Sequence, residues 1–70
     1  MEFYYIKIIA DEYDKMDTYL TDDEIISINP KDLMVFDYID AAIVAKQNLI
    51  NRLRKTWPDY PVEYIQICRL

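Results

Sequence analysis

The sequence predicts a small α+β fold, in which one amphipathic helix packs on one face of an antiparallel sheet of three or four strands. Residues 2–10 and 62–70 are rich in β-branched and aromatic side chains, which favour strands. Between them, residues 37–55 carry apolar side chains at helical spacing. The chain has 70 residues and an apolar fraction of 53%, which suits a single domain, 1–70, near the lower size limit for a packed core.

The segments before the helix are predicted to be extended, giving the order β-β-(β)-α-β for the whole chain. The strand period of two divides the first segment, residues 2–10, into two faces. One face holds Tyr4, Ile6, Ile8 and Ala10, and the other holds Phe3, Tyr5, Lys7 and Ile9. Residues 16–21 and 25–28 follow as short strands, and residues 33–36 as a further extended run. Asn29 and Pro30 mark a turn between them, since proline fixes φ and asparagine favours turn initiation.

The helix is predicted to start with Asp37 as its N-cap and Asp40 at its third position, a pairing that suits the positive end of the helix dipole. Three basic residues fall in the predicted last turn, where cations are favoured: Arg52, Arg54 and Lys55. Pro58 and Pro61 prevent the helix from continuing. The expected core-facing stripe consists of Ile39, Ala42, Ile43, Leu49, Ile50 and Leu53, with Trp57 extending it.

Residues 62–70 form the predicted last strand, which we expect beside the first strand in the centre of the sheet. If the isoleucines of both strands face the helix, an aromatic-rich set faces away from it: Phe3, Tyr5, Lys7, Ile9, Tyr64, Gln66 and Cys68. Such a surface is typical of protein interfaces, and it predicts self-association through Phe3, Tyr5, Tyr64 and Gln66. The alternative is that the 25–36 segment or another loop covers this face.

The composition excludes several kinds of site. Glycine is absent, so a glycine-rich phosphate-binding loop cannot form. Histidine is also absent and Cys68 is the only cysteine, which excludes an internal disulfide and a thiolate–imidazole zinc site. Ser27 is the only serine and has no histidine base. We therefore expect no enzyme activity, no cofactor and no metal.

The same composition predicts a cytoplasmic protein. A lone cysteine fits a reducing compartment, and the start of the chain lacks the positive region of a secretory signal. No apolar run approaches the roughly 20 residues that span a bilayer, so no membrane contact is expected.

Charge is distributed unevenly along the chain. Residues 1–40 carry eleven carboxylates and three basic side chains, a formal charge of −8, whereas residues 41–70 carry two carboxylates and five basic side chains, or +3. A like-charged field repels nucleic acid and attracts basic protein surfaces. The predicted partner is therefore a basic, nucleic-acid-binding protein and not nucleic acid itself.

The predicted contact residues are the carboxylates and tyrosines that flank the second strand: Asp11, Glu12, Tyr13, Asp14, Asp17, Tyr19, Asp22, Asp23 and Glu24. Two other interpretations remain for these acids. They could form a solvated surface that keeps a small protein soluble, or they could bind a metal, although their spacing does not match a calcium-binding EF-hand loop.

Three stretches of the sequence carry a resemblance: residues 19–24, residues 29–32 leading into Val35, Phe36 and 40–42, and the closing strand 61–67. In these stretches the chain resembles small orphan proteins carried by phages and prophages of Gram-positive bacteria. It implies a strand–turn–strand–helix fold and a location in the host cytoplasm. A recurrent role in that group is inhibition of host defence, anti-CRISPR proteins above all, which implies an inhibitor that competes with DNA or RNA for a basic groove. A homodimeric structural or accessory phage protein, associating through the open sheet face, is the alternative.

Overall fold

The computed structural model describes residues 2–9, 16–22 and 26–70. The regular elements are strands β1 (Tyr4–Ile8), β2 (Thr18–Leu20), β3 (Ile26–Ser27) and β4 (Ile65–Arg69), helix α1 (Ile39–Thr56), and two short 3-10 helices, Pro30–Asp32 and Val62–Tyr64. One helix with an antiparallel four-stranded sheet confirms the predicted α+β class. Predictions made for residues 10–15 and 23–25 lie outside the described residues.

The strands lie in the order β3-β2-β1-β4, and every neighbouring pair is antiparallel. β1 and β4 pair along their whole length, from Tyr4 opposite Arg69 to Ile8 opposite Ile65. The first and last strands are therefore neighbours, as predicted, but the prediction that both are central was wrong. β1 lies inside the sheet, because β2 pairs with it on one side and β4 on the other. β4 is the last strand in the order and forms an edge of the sheet.

Residues 33–36 are extended, as predicted, but they do not form a strand of their own. They make two isolated bridges, Thr21 with Leu33 and Tyr4 with Phe36. Tyr4 and Phe36 exchange both main-chain hydrogen bonds, at 2.9 and 2.8 Å. The segment thus runs from the end of β2 to the beginning of β1. It pairs with β1 at Tyr4, whereas β2 pairs with β1 at Lys7 and Ile8.

Local side-chain hydrogen bonds shape the turn that precedes this segment. The Ser27 Oγ accepts a hydrogen bond from the Asn29 main-chain N–H at 3.1 Å, and the Asn29 Oδ1 accepts one from the Lys31 N–H at 3.0 Å. Side chains that bond the backbone two residues on stabilise turns, and the predicted role of Asn29 is confirmed.

The core lies between the sheet and the helix. Its buried members are Ile6, Ile8, Leu20, Leu49, Ile50 and Ile65. Ile6 and Ile65 are almost completely buried, at 0% and 1% exposure. The predicted alternation along β1, with isoleucines toward the helix, is therefore confirmed.

The helix differs from the prediction in its start and in its buried face. Its N-cap is Tyr38, which is extended (φ −125°, ψ 139°) and makes no side-chain capping hydrogen bond, so the assignment of Asp37 was one residue too early. Ala42, Leu49 and Ile50 are buried as predicted, but Ile39 and Ile43 are about half exposed, at 48% and 50%. The face toward the sheet is rotated away from these two isoleucines.

The ends of the helix and of the last strand also depart from the prediction. The basic residues of the last turn are Arg54 and Lys55, so Arg52 was placed there wrongly. Trp57 does not extend the buried stripe, because the helix ends at Thr56 and the indole is 54% exposed. Residues 62–64 form a 3-10 helix, so strand pairing begins at Ile65, three residues later than predicted.

Candidate functional site

Of the nine predicted contact residues, the structure describes Asp17, Tyr19 and Asp22; the other six lie outside the described residues. The Asp17 carboxylate lies 4.0 Å from the Lys7 Nζ, which partly neutralises it. The Tyr19 ring lies 6.2 Å from that of Tyr5 on the sheet face away from the helix, whereas Asp22 is exposed. Asp17 precedes β2 and Asp22 follows it, so they are separated by up to about 17 Å of extended chain. Asp17 and Tyr19 therefore both lie beside Lys7, whereas Asp22 lies beyond the other end of β2.

The structure instead brings Asp22 close to Asp32, an acid that the predicted site left out. The Asp22 main-chain N–H donates to the Asp32 carbonyl at 2.8 Å, so these two exposed aspartates are neighbours. The 33–36 segment leads from there to Asp37 and Asp40 at the start of the helix, which are also exposed. We call the set Asp22, Asp32, Asp37, Tyr38 and Asp40 the acidic surface.

The carboxylates of the acidic surface are available to a partner. Within the described part of the chain, no basic side chain lies within ion-pair distance of any of the four. Tyr38 lies between Asp37 and Asp40 and is 75% exposed, the largest exposure among the large hydrophobic residues. Residues 22–40 contain six carboxylates and one lysine, a formal charge of −5. The surface therefore combines uncompensated negative charge with an exposed aromatic ring.

Sequence reasoning missed Asp32 as a contact residue because its proximity to Asp22 depends on one long-range main-chain pairing. Asp22 and Asp32 are ten positions apart, and only the bridge between Thr21 and Leu33 brings them together. The interleaving of Asp37, Tyr38 and Asp40 was the available signal in the sequence.

The sheet face away from the helix is a mixed polar and aromatic surface. The cross-strand pairs Tyr5 with Cys68 and Lys7 with Gln66 place these four side chains on it. Burial raises the pKa of Tyr5, and the neighbouring Cys68 thiol adds to the effect. Tyr5 and Gln66 therefore lie where the self-association prediction placed them.

The other two residues of that prediction, Phe3 and Tyr64, lie just outside the paired strands β1 and β4. Tyr64 belongs to the 3-10 helix that precedes β4 and packs against the core. Phe3 is half-buried and precedes β1, and its carbonyl accepts a hydrogen bond from the Leu70 N–H at 2.8 Å.

A polar cluster closes the end of the sheet where β1 begins and β4 ends. The Tyr4 hydroxyl donates to the Glu2 Oε2 at 2.9 Å, and the Arg69 Nη1 donates to the Glu2 Oε1 at 2.8 Å. The hydrogen bond to the Glu2 carboxylate raises the pKa of Tyr4, because it stabilises the protonated hydroxyl.

A cleft of about 330 Å³ separates the helix from the 33–36 segment. Most of the residues that line it are apolar, and the two polar ones, Asn48 and Arg52, lie one helical turn apart. The apolar lining residues are Leu20, Met34, Phe36, Ala41, Val44, Ala45 and Leu49. Among the described lining residues the one charged group is the Arg52 guanidinium, so these residues can hold an apolar group but supply no acid–base pair.

Two further properties bear on the site. Among the described residues, no three carboxylate or cysteine side chains are grouped closely enough to hold a metal ion. Within the same residues, no helix has the length and apolar character needed to cross a bilayer.

Comparison with known proteins gives no relative from which a function could be transferred. No protein-family model matches the sequence, and neither the curated proteins nor the solved structures contain a significant match. The geometry of the chain itself is therefore the basis for any functional conclusion.

Proposed function

We propose that this protein binds a basic, nucleic-acid-handling protein and blocks the groove that DNA or RNA would occupy. The observation that carries the proposal is the acidic surface, with its four exposed carboxylates and no described basic side chain within ion-pair distance. Carboxylates can occupy positions that phosphates would take, and tyrosine is enriched at the centres of protein interfaces. Tyr38, exposed between two of these carboxylates, supplies the aromatic anchor.

The resemblance to orphan phage proteins directs the choice of target. It makes a host-defence effector, such as an RNA-guided nuclease, the first protein to test. Competition with nucleic acid for such a groove requires charge more than shape, so the affinity should fall as salt is raised.

The test is a DNA-binding competition assay with purified basic effectors. The variant Asp22→Lys/Asp32→Lys reverses two carboxylates of the acidic surface and changes the net charge from −5 to −1, since each substitution adds two charges. The control Asp59→Lys/Glu63→Lys makes the same change at two exposed acids outside that surface. We expect inhibition to be lost in the first variant and kept in the second. Equal inhibition by both, with both folded by circular dichroism, would show the proposal to be wrong.

A further inference from the structure

We infer that the outer edge of β4 and the adjoining flank of α1 form the interface of a symmetric homodimer. In it, β4 pairs with β4 of a second copy, which makes one continuous eight-stranded sheet. This inference goes beyond the proposed function, because it concerns a different side of the molecule. Two independent features carry it: unpaired main-chain groups on β4 and two half-exposed isoleucines on the helix flank above them.

The hydrogen-bond pattern shows which main-chain groups of β4 face outward. The Leu70 N–H donates to the Phe3 carbonyl and the Ile9 N–H to the Tyr64 carbonyl, both at 2.8 Å. In an antiparallel ladder such pairs alternate, so Gln66 and Cys68 also direct their N–H and C=O groups toward β1. The intervening residues of β4 direct theirs away from β1: Ile65, Ile67 and Arg69.

These outward groups are unpaired in the described part of the chain, apart from the Ile65 N–H, which donates to the Val62 carbonyl. β4 is five residues long and contains no proline, and its one charged residue, Arg69 at its end, is paired with Glu2. Edge strands of this kind pair readily with another strand unless a charge, a proline or a covering loop prevents it. A twofold axis at Ile67 satisfies the edge, because Ile67 then exchanges two hydrogen bonds with the partner's Ile67.

Two half-exposed isoleucines lie on the helix flank above this edge. α1 packs on β1 and β4, and the cleft-lining Asn48 marks the flank that faces β2 and the 33–36 segment. At about 100° per residue, Ile39 lies about 180° from Asn48 and Ile43 about 140° from it. Ile39 and Ile43 therefore lie on the flank toward the outer edge of β4, where they are 48% and 50% exposed.

The dimensions fit two packed helices. Strands are spaced about 4.8 Å apart, so a helix centred over β1 and β4 lies about 4.8 Å from a twofold axis at the outer edge of β4. Two such helices would be about 10 Å apart, within the usual range of about 8–10 Å for packed helices. Pairing the two edges thus brings Ile39 and Ile43 toward the partner helix.

The charges on the helix are also complementary in this arrangement. A twofold axis perpendicular to the sheet makes the two helices antiparallel. The acidic first turn of one, with Asp40, then lies at the same end as the basic last turn of the other, with Arg54 and Lys55. Lys46 lies near the middle of the same flank, so the two copies bring like charges toward the axis and the dimer should be weak.

The first experiment uses sedimentation velocity over a concentration series up to about 500 μM, since interfaces of this small size are of the weak, transient class. We expect a reversible dimer, which Ile43→Glu weakens at least tenfold and Lys46→Gln strengthens. The matched control is Val44→Glu, a change at the neighbouring position, 60% exposed but lining the cleft, which should leave the dimer intact. A monomer throughout the series, or equal effects of Ile43→Glu and Val44→Glu, would overturn the inference.

The second experiment tests the register by cross-linking. Pairing about Ile67 places Gln66 opposite the partner's Cys68 in a non-hydrogen-bonded pair, with Cα atoms about 4.5 Å apart, which suits a disulfide. Under mild oxidation, Gln66→Cys should therefore give a covalent dimer of 17 kDa, twice 8.5 kDa. The control Ser27→Cys places a thiol on the same face at the opposite edge and should give far less. Equal cross-linking of the two variants would exclude this pairing.

Discussion

The two sides of β1 are built differently. On one side, β4 pairs with it through five consecutive residues beneath the helix. On the other side, among the described residues, β2 contributes the pairs at Lys7 and Ile8, and Phe36 of the 33–36 segment pairs with Tyr4. The β4 side of β1 thus has one continuous ladder beneath the helix. The other side has a short ladder with β2 and an isolated bridge to Phe36.

The difference shows how a small domain can divide its surfaces. On the β4 side, the regular ladder places Ile65 in the core and leaves one strand edge open. On the β2 side, the strands and bridges are short and are separated by turns. Exposed carboxylates lie in these turns, among them Asp22, Asp32 and Asp37. The open edge suits a second copy, and the exposed carboxylates suit a basic partner.

The largest expected effect compares one core residue from each side. Ile65→Ala should lower the free energy of unfolding by about 4 kcal/mol. The Ile65 side chain is almost completely buried, so its truncation leaves a cavity that solvent cannot enter. Leu20→Ala should cost about 3 kcal/mol, because Met34 and Phe36 beside it belong to a segment without a continuous ladder and can move into the space. Urea denaturation measures both. A larger loss for Leu20→Ala would mean that the β2 side is as rigid as the β4 side.

The next effect concerns the start of the helix, which follows the 33–36 segment of the β2 side. Tyr38 caps the helix without a side-chain hydrogen bond, so Tyr38→Asp should add about 1 kcal/mol to the free energy of unfolding. Asp37→Ala serves as the control and should change stability by less than about 0.5 kcal/mol. A loss of about 1 kcal/mol in Asp37→Ala would instead indicate that Asp37 caps the helix.

A smaller effect should appear at alkaline pH. Tyr5 lies between Cys68 on one side and Tyr19 on the other, and burial raises its pKa above the ordinary value of 10.0. The contribution of Tyr5 to stability is therefore complete below about pH 10 and is lost as the pH rises through the folded-state pKa, because the unfolded chain ionises first. The urea midpoint should fall between pH 9 and pH 11, and Tyr5→Phe should fall less. An identical fall in both proteins would assign the loss to other groups.

The smallest effect is expected from the ion pair between Glu2 and Arg69, whose side chains are 55% and 65% exposed. Exposed pairs contribute little, so the coupling between Glu2→Gln and Arg69→Gln should be below about 0.5 kcal/mol in a double-mutant cycle. A coupling above about 1 kcal/mol would show that this end of the sheet depends on the pair.

The elements that the sequence predicted well are those set by local pattern. The isoleucines of β1 and β4 alternate with polar or aromatic residues, and period two alone assigns them to the core side. The helix and its buried Leu49 and Ile50 follow in the same way from the period of 3.6.

The errors fall where a long-range contact decides the outcome. The orientation of a helix about its axis depends on the sheet beneath it, so the exposure of Ile39 and Ile43 could not be read from their spacing. Residues 33–36 have strand-like composition, but their place in the sheet depends on where β2 stops. The candidate site was only partly predictable for the same reason, since Asp22 and Asp32 meet through a bridge between distant residues.

The pairing of β1 with β4 also constrains how the chain folds. From the end of β1 at Ile8 to the start of β4 at Ile65, synthesis must add 57 residues. At 5–20 residues per second, this takes roughly 3–11 s, during which β1 lacks its longest partner. Contacts so distant in sequence slow folding, so we expect millisecond-to-second kinetics although the domain is small. β1, which precedes the other three strands in the chain, is therefore among the last to be fully paired.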